Sequence, residues 1–241
     1  MSNLRKDGQL RWAPSYLRNR GQMTRAHKRA MREHWPTYGI RYQYDEVLDL
    51  ENHFEANGPL LIEIGFGMGD HLISLATNLP DHRILGIEVH RPGLAAAAAK
   101  AAKHSCDNVR LIRGDARLVL TDHLPKAIAT AVFLQFPDPW PKAGDEHRRL
   151  IQPEMLEVLR ESLLPGGECL LLTDVALYAD HCRNTFGGAP GWEAVDHSNW
   201  HSHRIATLYE EKAIAEGRTI TELIFRTNSG FCANSGEATC S

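Results

Sequence analysis

The chain has 241 residues, 43% hydrophobic and 24% charged, which is enough apolar material for one sizeable core and too little length for two full domains. No apolar run is long enough to cross a bilayer, so a membrane partner is not expected and the cytoplasm is the expected location. The formal net charge of -3 hides an asymmetry: residues 1–41 carry ten Lys/Arg against Asp7 and Glu33, or +8, which leaves -11 for the rest and gives the chain a basic arm suited to a polyanionic partner.

In chain order, Thr24 is an expected N-cap for a short surface helix with Ala26, Ala30 and His34 on one side, ending near Trp35-Pro36. With the arm it forms an N-terminal segment, residues 1–57. After Gly58-Pro59 the pattern changes to short apolar runs alternating with amphipathic segments, which predicts βα units and a mainly parallel, doubly wound sheet over residues 58–227. Strands are predicted at Leu60 to Ile64, Arg83 to Val89, Val109 to Ile112, Ala129 to Gln135 and Glu168 to Leu172, each followed by a helix. The alanine-rich run Leu94 to Ala102 is one of these helices, built for close packing on the sheet. Leu164-Pro165-Gly166-Gly167 reads as a loop between a helix starting near Pro153 and the strand at Glu168. Thr219 to Thr227 alternates as a late strand, fit for an antiparallel hairpin at the sheet edge, and residues 228–241 are small and polar, a composition expected to be disordered.

Two stretches carry chemistry. Glu63-Ile64-Gly65-Phe66-Gly67-Met68-Gly69-Asp70 leaves a predicted strand through a turn that contains Glu63 and opens a helix, so Gly65, Gly67 and Gly69 let the backbone turn sharply beside a ligand. A dinucleotide fingerprint wants a third glycine where Asp70 stands. Glu88 ends the second predicted strand, placed to accept both hydroxyls of a ribose, and Asp115-Ala116 follows the third, placed for an adenine amino group. That ordered set of acids, without a phosphate cradle, points to S-adenosylmethionine. The second stretch is Phe136-Pro137-Asp138-Pro139-Trp140-Pro141-Lys142, where prolines stiffen the chain around one acid at the sheet rim, the place where substrates bind in open α/β folds.

These motifs, with the basic helix and Trp35-Pro36, Gly86-Ile87-Glu88-Val89, Arg148-Arg149, Thr173-Asp174 and Thr207-Leu208-Tyr209-Glu210, resemble the bacterial tRNA (guanine-N7)-methyltransferase family over most of the chain. The resemblance implies a class I S-adenosylmethionine-dependent methyltransferase (Rossmann-like) fold with a seven-stranded sheet, and methylation of a variable-loop guanine in tRNA. It also implies cofactor contacts from Glu63, Glu88, Asp115 and Asp138, with Asp138 at the catalytic centre. Lys142, Arg148, Arg149, Asp174, Thr207, Tyr209 and Glu210 would meet the substrate.

The chain departs from the family after Lys142. Where a basic x-R-H-x-K-R-R stretch is usual, it reads Ala143-Gly144-Asp145-Glu146-His147-Arg148-Arg149, a local charge change of up to about -4 that weakens phosphate binding. Leu208 and Lys212-Ala213 are smaller departures from a usual Lys and a usual Arg/Lys-Gly. Two other readings therefore stand beside tRNA methylation: a paralogue that methylates a ring nitrogen of a small heteroaromatic molecule, and a non-catalytic RNA-binding protein. No metal is expected. The five cysteines form no CxxC pair, and His197, His201 and His203 read as a polar surface loop.

Overall fold

The computed structural model describes residues 15–16, 22–43 and 46–228; most of the basic arm and nearly all of the polar tail lie outside the described residues. Eight strands form one sheet: β1 (Gly39–Ile40), β2 (Leu60–Ile64), β3 (Arg83–Glu88), β4 (Val109–Arg113), β5 (Ala129–Gln135), β6 (Leu163–Thr173), β7 (Trp192–Ala194) and β8 (Thr221–Thr227). Their order is β1-β4-β3-β2-β5-β6-β8-β7, parallel from β1 to β6, with β8 antiparallel to both β6 and β7. The reversal of strand order at β2 leaves a crevice beyond the carboxyl ends of the central strands, where open α/β sheets bind ligands.

The sheet has one strand more than the seven expected. The extra strand, β1, is two residues long and runs against β4; a dipeptide gives no periodic signal in a sequence. Leu164 to Gly167 also differs from expectation. It lies within β6 as an excursion: Leu163 pairs with Ala129, Glu168 pairs with Ala131, and the residues between bulge out around Gly166, at φ +77°. Thr227 Oγ1 donates to the Leu164 and Gly167 carbonyls at 3.0 and 3.3 Å, satisfying acceptors that the ladder leaves free.

The helices are α1 (Arg25–Tyr38), α2 (Asp70–Asn78), α3 (Arg91–Lys103), α4 (Ala116–Leu118), α5 (Pro153–Ser162), α6 (Ala176–Gly187) and α7 (Leu208–Ala215). Side chains alternate along the strands, so Leu61, Ile84, Phe133 and Leu170 enter the layer of α1–α3 while Ile62, Leu85, Val132 and Leu171 enter the layer of α5 and α6. Thr24 caps α1 as expected, accepting from His27 N at 3.1 Å, but the helix runs through Pro36 to Tyr38, and Trp35 and Tyr38 are buried in the first of those layers. The exposed face of α1 is basic: Arg25, Lys28, Arg29 and Arg32.

The alanines of α3 have a local purpose. A Cβ at Gly69 would lie 2.7 Å from the Ala97 Cβ, and one at Gly93 would lie 2.2 Å from the Gly67 carbonyl oxygen. The glycine loop and α3 therefore touch almost backbone to backbone, and any larger side chain at these positions displaces the loop.

Candidate active site

The loop leaving β2 holds Gly65, Gly67 and Gly69 at φ +71°, +57° and +81°, a region closed to most side chains. At Gly65 and Gly67 an added Cβ would meet nothing within 4 Å, so the loop turns its bare backbone to open space. Glu88 at the end of β3 braces this loop. Its Oε2 accepts from Gly67 N at 3.0 Å and its Oε1 from Val89 N and His90 N at 2.7 and 2.8 Å, leaving about one of its four lone-pair sites for a ligand. Burial holds the Glu88 carboxyl above the usual carboxylate range against the pull of these three donors.

Glu63 sits within β2 itself, not in the turn. It is 2% exposed, and its Oε2 lies 3.1 Å from the Nδ1 of His71, itself 1% exposed, at the start of α2. Asp115 caps α4, accepting from Arg117 N at 3.1 Å, and the buried Arg117 guanidinium approaches within 3.6 Å. Tyr42 lies over Gly114, where a Cβ would come within 2.6 Å of its hydroxyl, and burial together with the Asp115 charge pushes the phenol up to about 12.

Gly65, Glu88, Asp115, Ala116 and Asp138 line one cleft with apolar walls from Ile64, Ile87, Val89 and Leu150. A second cleft, on the other side of Gln135 and Phe136, is lined by Glu63, Gly67, Asp70, Thr207 and Tyr209 among others. Between the two runs the Phe136–Trp140 turn. Phe136 and Trp140, its two ends, have φ +52° and +42°, a conformation that costs on the order of 1–3 kcal/mol per non-glycine residue and persists only where surroundings enforce it.

The enforcing contacts are visible. Phe136 N donates to Leu172 O at 2.9 Å, and the Phe136 ring packs on Tyr209 at 4.8 Å. Buried Arg149 donates from Nε to the Pro139 carbonyl at 3.0 Å and from Nη2 to the Trp140 carbonyl at 3.5 Å. The Arg148 guanidinium lies 3.3 Å above the Trp140 ring, with Asp145 at 3.9 Å, and the indole Nε1 donates to Ser15 O at 3.0 Å. Arg148 and Arg149, expected to meet the substrate, are thus brought to the loop that carries Asp138; Lys142 is exposed at its far end.

The acids inserted after Lys142 are spent locally. Glu146 Oε2 accepts from Gly144 N at 2.7 Å, His147 Nδ1 lies 2.7 Å from Gly144 O, and Gln152 Nε2 donates to the Glu146 carbonyl at 2.6 Å. The backbone donors at Glu146 and Gly144 hold the Glu146 carboxyl below its ordinary range. A basic stretch is replaced by a short, self-bonded turn that keeps Arg148 on the tryptophan.

The second cleft is closed by the other group. Thr207 caps α7, accepting from Glu210 N at 3.2 Å, which turns the half-exposed Tyr209 toward Phe136. The Tyr209 hydroxyl donates to Asp174 Oδ2 at 3.3 Å, and Arg218 pairs with the same carboxylate and donates to the Tyr209 oxygen at 3.1 Å. Glu210 is buried and paired with Arg204, which places it behind the cleft wall. Of the histidines, His201 lies 3.0 Å from Glu222 in a short 3-10 turn, and among the described residues no three His, Cys, Asp or Glu are grouped to hold a metal. No described helix is long and apolar enough to cross a membrane.

A family described as "Putative methyltransferase" matches residues 57–223. A tRNA (guanine-N(7)-)-methyltransferase from Aliivibrio fischeri is 35% identical over 219 residues, 89% of this chain and 92% of its own, and one from Yersinia pestis is 35% identical over 220 residues, 90% and 92%. The chain belongs to the tRNA (guanine-N7)-methyltransferase family. It is an S-adenosylmethionine-dependent methyltransferase. Solved structures agree at the level of fold: the 16S rRNA methyltransferase KamB, at TM-score 0.58 and 18% identity, covers 79% of this chain and 98% of its own, and the antibiotic-resistance methyltransferase Kmr, at 0.54 and 19%, covers 80% and 96%.

The first cleft of this methyltransferase fits the cofactor. A buried carboxylate with a lone pair to spare suits a ribose hydroxyl, the aliphatic walls suit a purine, and Gly65, whose missing Cβ faces open space and which borders both clefts, leaves room for the amino-acid tail. The sequence missed His71, Arg204, Arg218 and Gln135. The first three reveal themselves only by their carboxylate partners Glu63, Glu210 and Asp174, of which Glu63 and Glu210 are near in sequence and Asp174 is distant. Gln135 ends β5 with both amide atoms shut off from solvent and without a partner among the described residues, a state that costs about 1–3 kcal/mol per group unless a ligand relieves it.

Proposed function

We propose that this enzyme transfers a methyl group from S-adenosylmethionine to N7 of a guanine in tRNA, with Glu88 and Asp115 holding the nucleoside half of the cofactor, Gly65 and Gly67 admitting its amino-acid tail, Glu63 facing that tail, and Asp138 acting at the reacting base. The observation that carries the reading is the shared cleft: Asp138, on a turn clamped by Arg149, lines the same cavity as Glu88, Asp115 and Ala116. The relatives named above act on tRNA guanine and span nearly their whole length on this chain, which favours an RNA acceptor over a small heteroaromatic one.

When bound, the cofactor supplies a methyl group on a positively charged sulfur. Guanine N7 presents an in-plane lone pair and carries no hydrogen, so the enzyme has no proton to remove first. Its task is alignment, which is worth about 7–11 kcal/mol in well-oriented reactions. Asp138, fixed by the turn, accepts from the N1–H or amino edge of the guanine and offsets the positive charge that the ring acquires. Thr207 and Tyr209 line the far side of the second cleft, from which the base approaches the amino-acid tail, and Asp174 and Arg218 hold Tyr209 from behind. Lys142 and the exposed Arg25, Lys28, Arg29 and Arg32 on α1 supply phosphate contacts in front of the methyltransferase domain, in place of the basic stretch lost after Lys142.

The test is direct. Purified enzyme with labelled S-adenosylmethionine labels tRNA lacking 7-methylguanosine, and nuclease digestion returns the label as 7-methylguanosine. Label confined to small molecules, or binding of the cofactor with no transfer to any RNA, overturns the proposal.

A further inference from the structure

We infer that Gln135 is the residue that positions the acceptor base, its carboxamide donating to O6 of the guanine and so presenting the neighbouring N7 to the methyl donor; the inference rests on the proposed reaction. Among the described residues, three alone border both clefts: Gly65, Gln135 and Phe136. Gly65 offers no side chain, and the Phe136 ring is engaged with Tyr209. The polar side chain on the seam is Gln135, and its Oε1 and Nε2 are both buried without a partner among the described residues.

Position explains the orphaned amide. Gln135 is the last residue of β5, paired in register with Leu172 of β6, and the next residue starts the turn that carries Asp138. The strand anchors its backbone in the sheet, so the amide is carried by the sheet while Asp138 is carried by the turn that follows. A buried amide left unpaired is unfavourable, and the group that relieves it must enter one of the two clefts.

Chemistry selects the partner. On the Hoogsteen edge of guanine, O6 and N7 are adjacent acceptors. A carboxamide N–H bonded to O6 fixes the base in plane and leaves the N7 lone pair free; an ammonium or guanidinium there would compete for N7 itself. Division of labour follows: Asp138 takes the Watson–Crick edge and Gln135 the Hoogsteen edge, and a base held at both edges cannot rotate in its plane.

The test uses full-length enzyme, Gln135→Leu and Gln135→Asn, with tRNA carrying guanosine or 6-thioguanosine at the acceptor position, sulfur being a weak acceptor. Expected for Gln135→Leu is turnover slowed roughly 10- to 100-fold, affinity for S-adenosylhomocysteine within about 2-fold of the parent by calorimetry, and partial recovery in Gln135→Asn. The sulfur analogue slows the parent enzyme but leaves Gln135→Leu no slower than it already is, because the lost bond is the same one. Two results overturn the inference: loss of S-adenosylhomocysteine affinity in Gln135→Leu with the sulfur penalty intact, which assigns the amide to the cofactor, or parental activity in Gln135→Leu. Absence of 7-methylguanosine with the parent enzyme is a different failure, that of the reaction itself.

Discussion

The two clefts are bounded by polar groups in opposite states. On the side proposed for the cofactor Glu88 spends three lone pairs on backbone donors and keeps one for a ligand, while on the side proposed for the substrate Tyr209, in the cleft wall, is bonded to Asp174 and Arg218 behind it. Backbone amides cannot leave their carboxylate, so the cofactor side is built in advance; side chains can exchange partners, so the substrate side has bonds to trade when a base arrives. What a polar residue at a cleft can do for a ligand thus depends on what already holds it.

The strongest way to break the comparison is at the turn between the clefts. Asp138→Ala should lower methyl transfer by about 10²–10³-fold, the loss typical of removing one preorganised group, while affinity for S-adenosylhomocysteine by calorimetry changes far less. Equal loss of both would move Asp138 wholly to the cofactor side. Next comes Glu88→Gln, which should weaken S-adenosylhomocysteine binding by roughly 10- to 100-fold, the value of a charge-assisted hydrogen bond.

Glu88 also sets a pH dependence. Its carboxyl is held above the ordinary range by burial, and the ribose hydroxyl proposed to meet it donates more strongly to the charged form, so cofactor affinity is full above that raised pKa and weakens as pH falls through it. Calorimetry across mildly acidic pH should show this fall in the parent and a flat profile in Glu88→Gln; parallel profiles would assign the titration to another group.

Arg149→Met sharpens the substrate side. It strips two bonds from the strained turn and should lower unfolding free energy by about 2–3 kcal/mol in a denaturant titration. If Arg149 serves the turn, the salt dependence of tRNA binding keeps its slope; if it serves phosphate, the slope shrinks by about one unit. The smallest effect is expected of Thr207→Ala, about 1 kcal/mol for a lost N-cap, seen as a modest rise in KM for tRNA as Tyr209 loosens.

The make-up of the first cleft was largely legible in the sequence, because strand ends, glycines and acids follow one another at short range. Glu88, Asp115 and the three glycines lie where the pattern puts them, and the Phe136–Lys142 stretch lies at the expected rim. Elsewhere the pattern was incomplete. Leu164 to Gly167 carries true turn chemistry at Gly166, yet pairing on either side keeps it in β6. Arg148 and Arg149 carry charges that suit a nucleic acid, and Glu210 stands in a motif expected to meet the substrate, but their partners are the Trp140 ring, the carbonyls of the turn, and Arg204, contacts that only folding defines. Gln135 belongs to no motif; its meaning lies in its unpaired, buried amide.

Ser15 and Tyr16 form part of the wall of the first cleft, and Ser15 is hooked to the Trp140 indole by one hydrogen bond. This short segment ahead of α1 therefore ties one wall of the cleft to the same tryptophan that Arg148 covers, and with the nucleoside placed there as proposed it would act as a latch. Such a latch governs departure more than arrival. Deleting residues 1–21 should leave the association rate of S-adenosylhomocysteine nearly unchanged and hasten its escape, shortening its dwell time in a stopped-flow displacement trace.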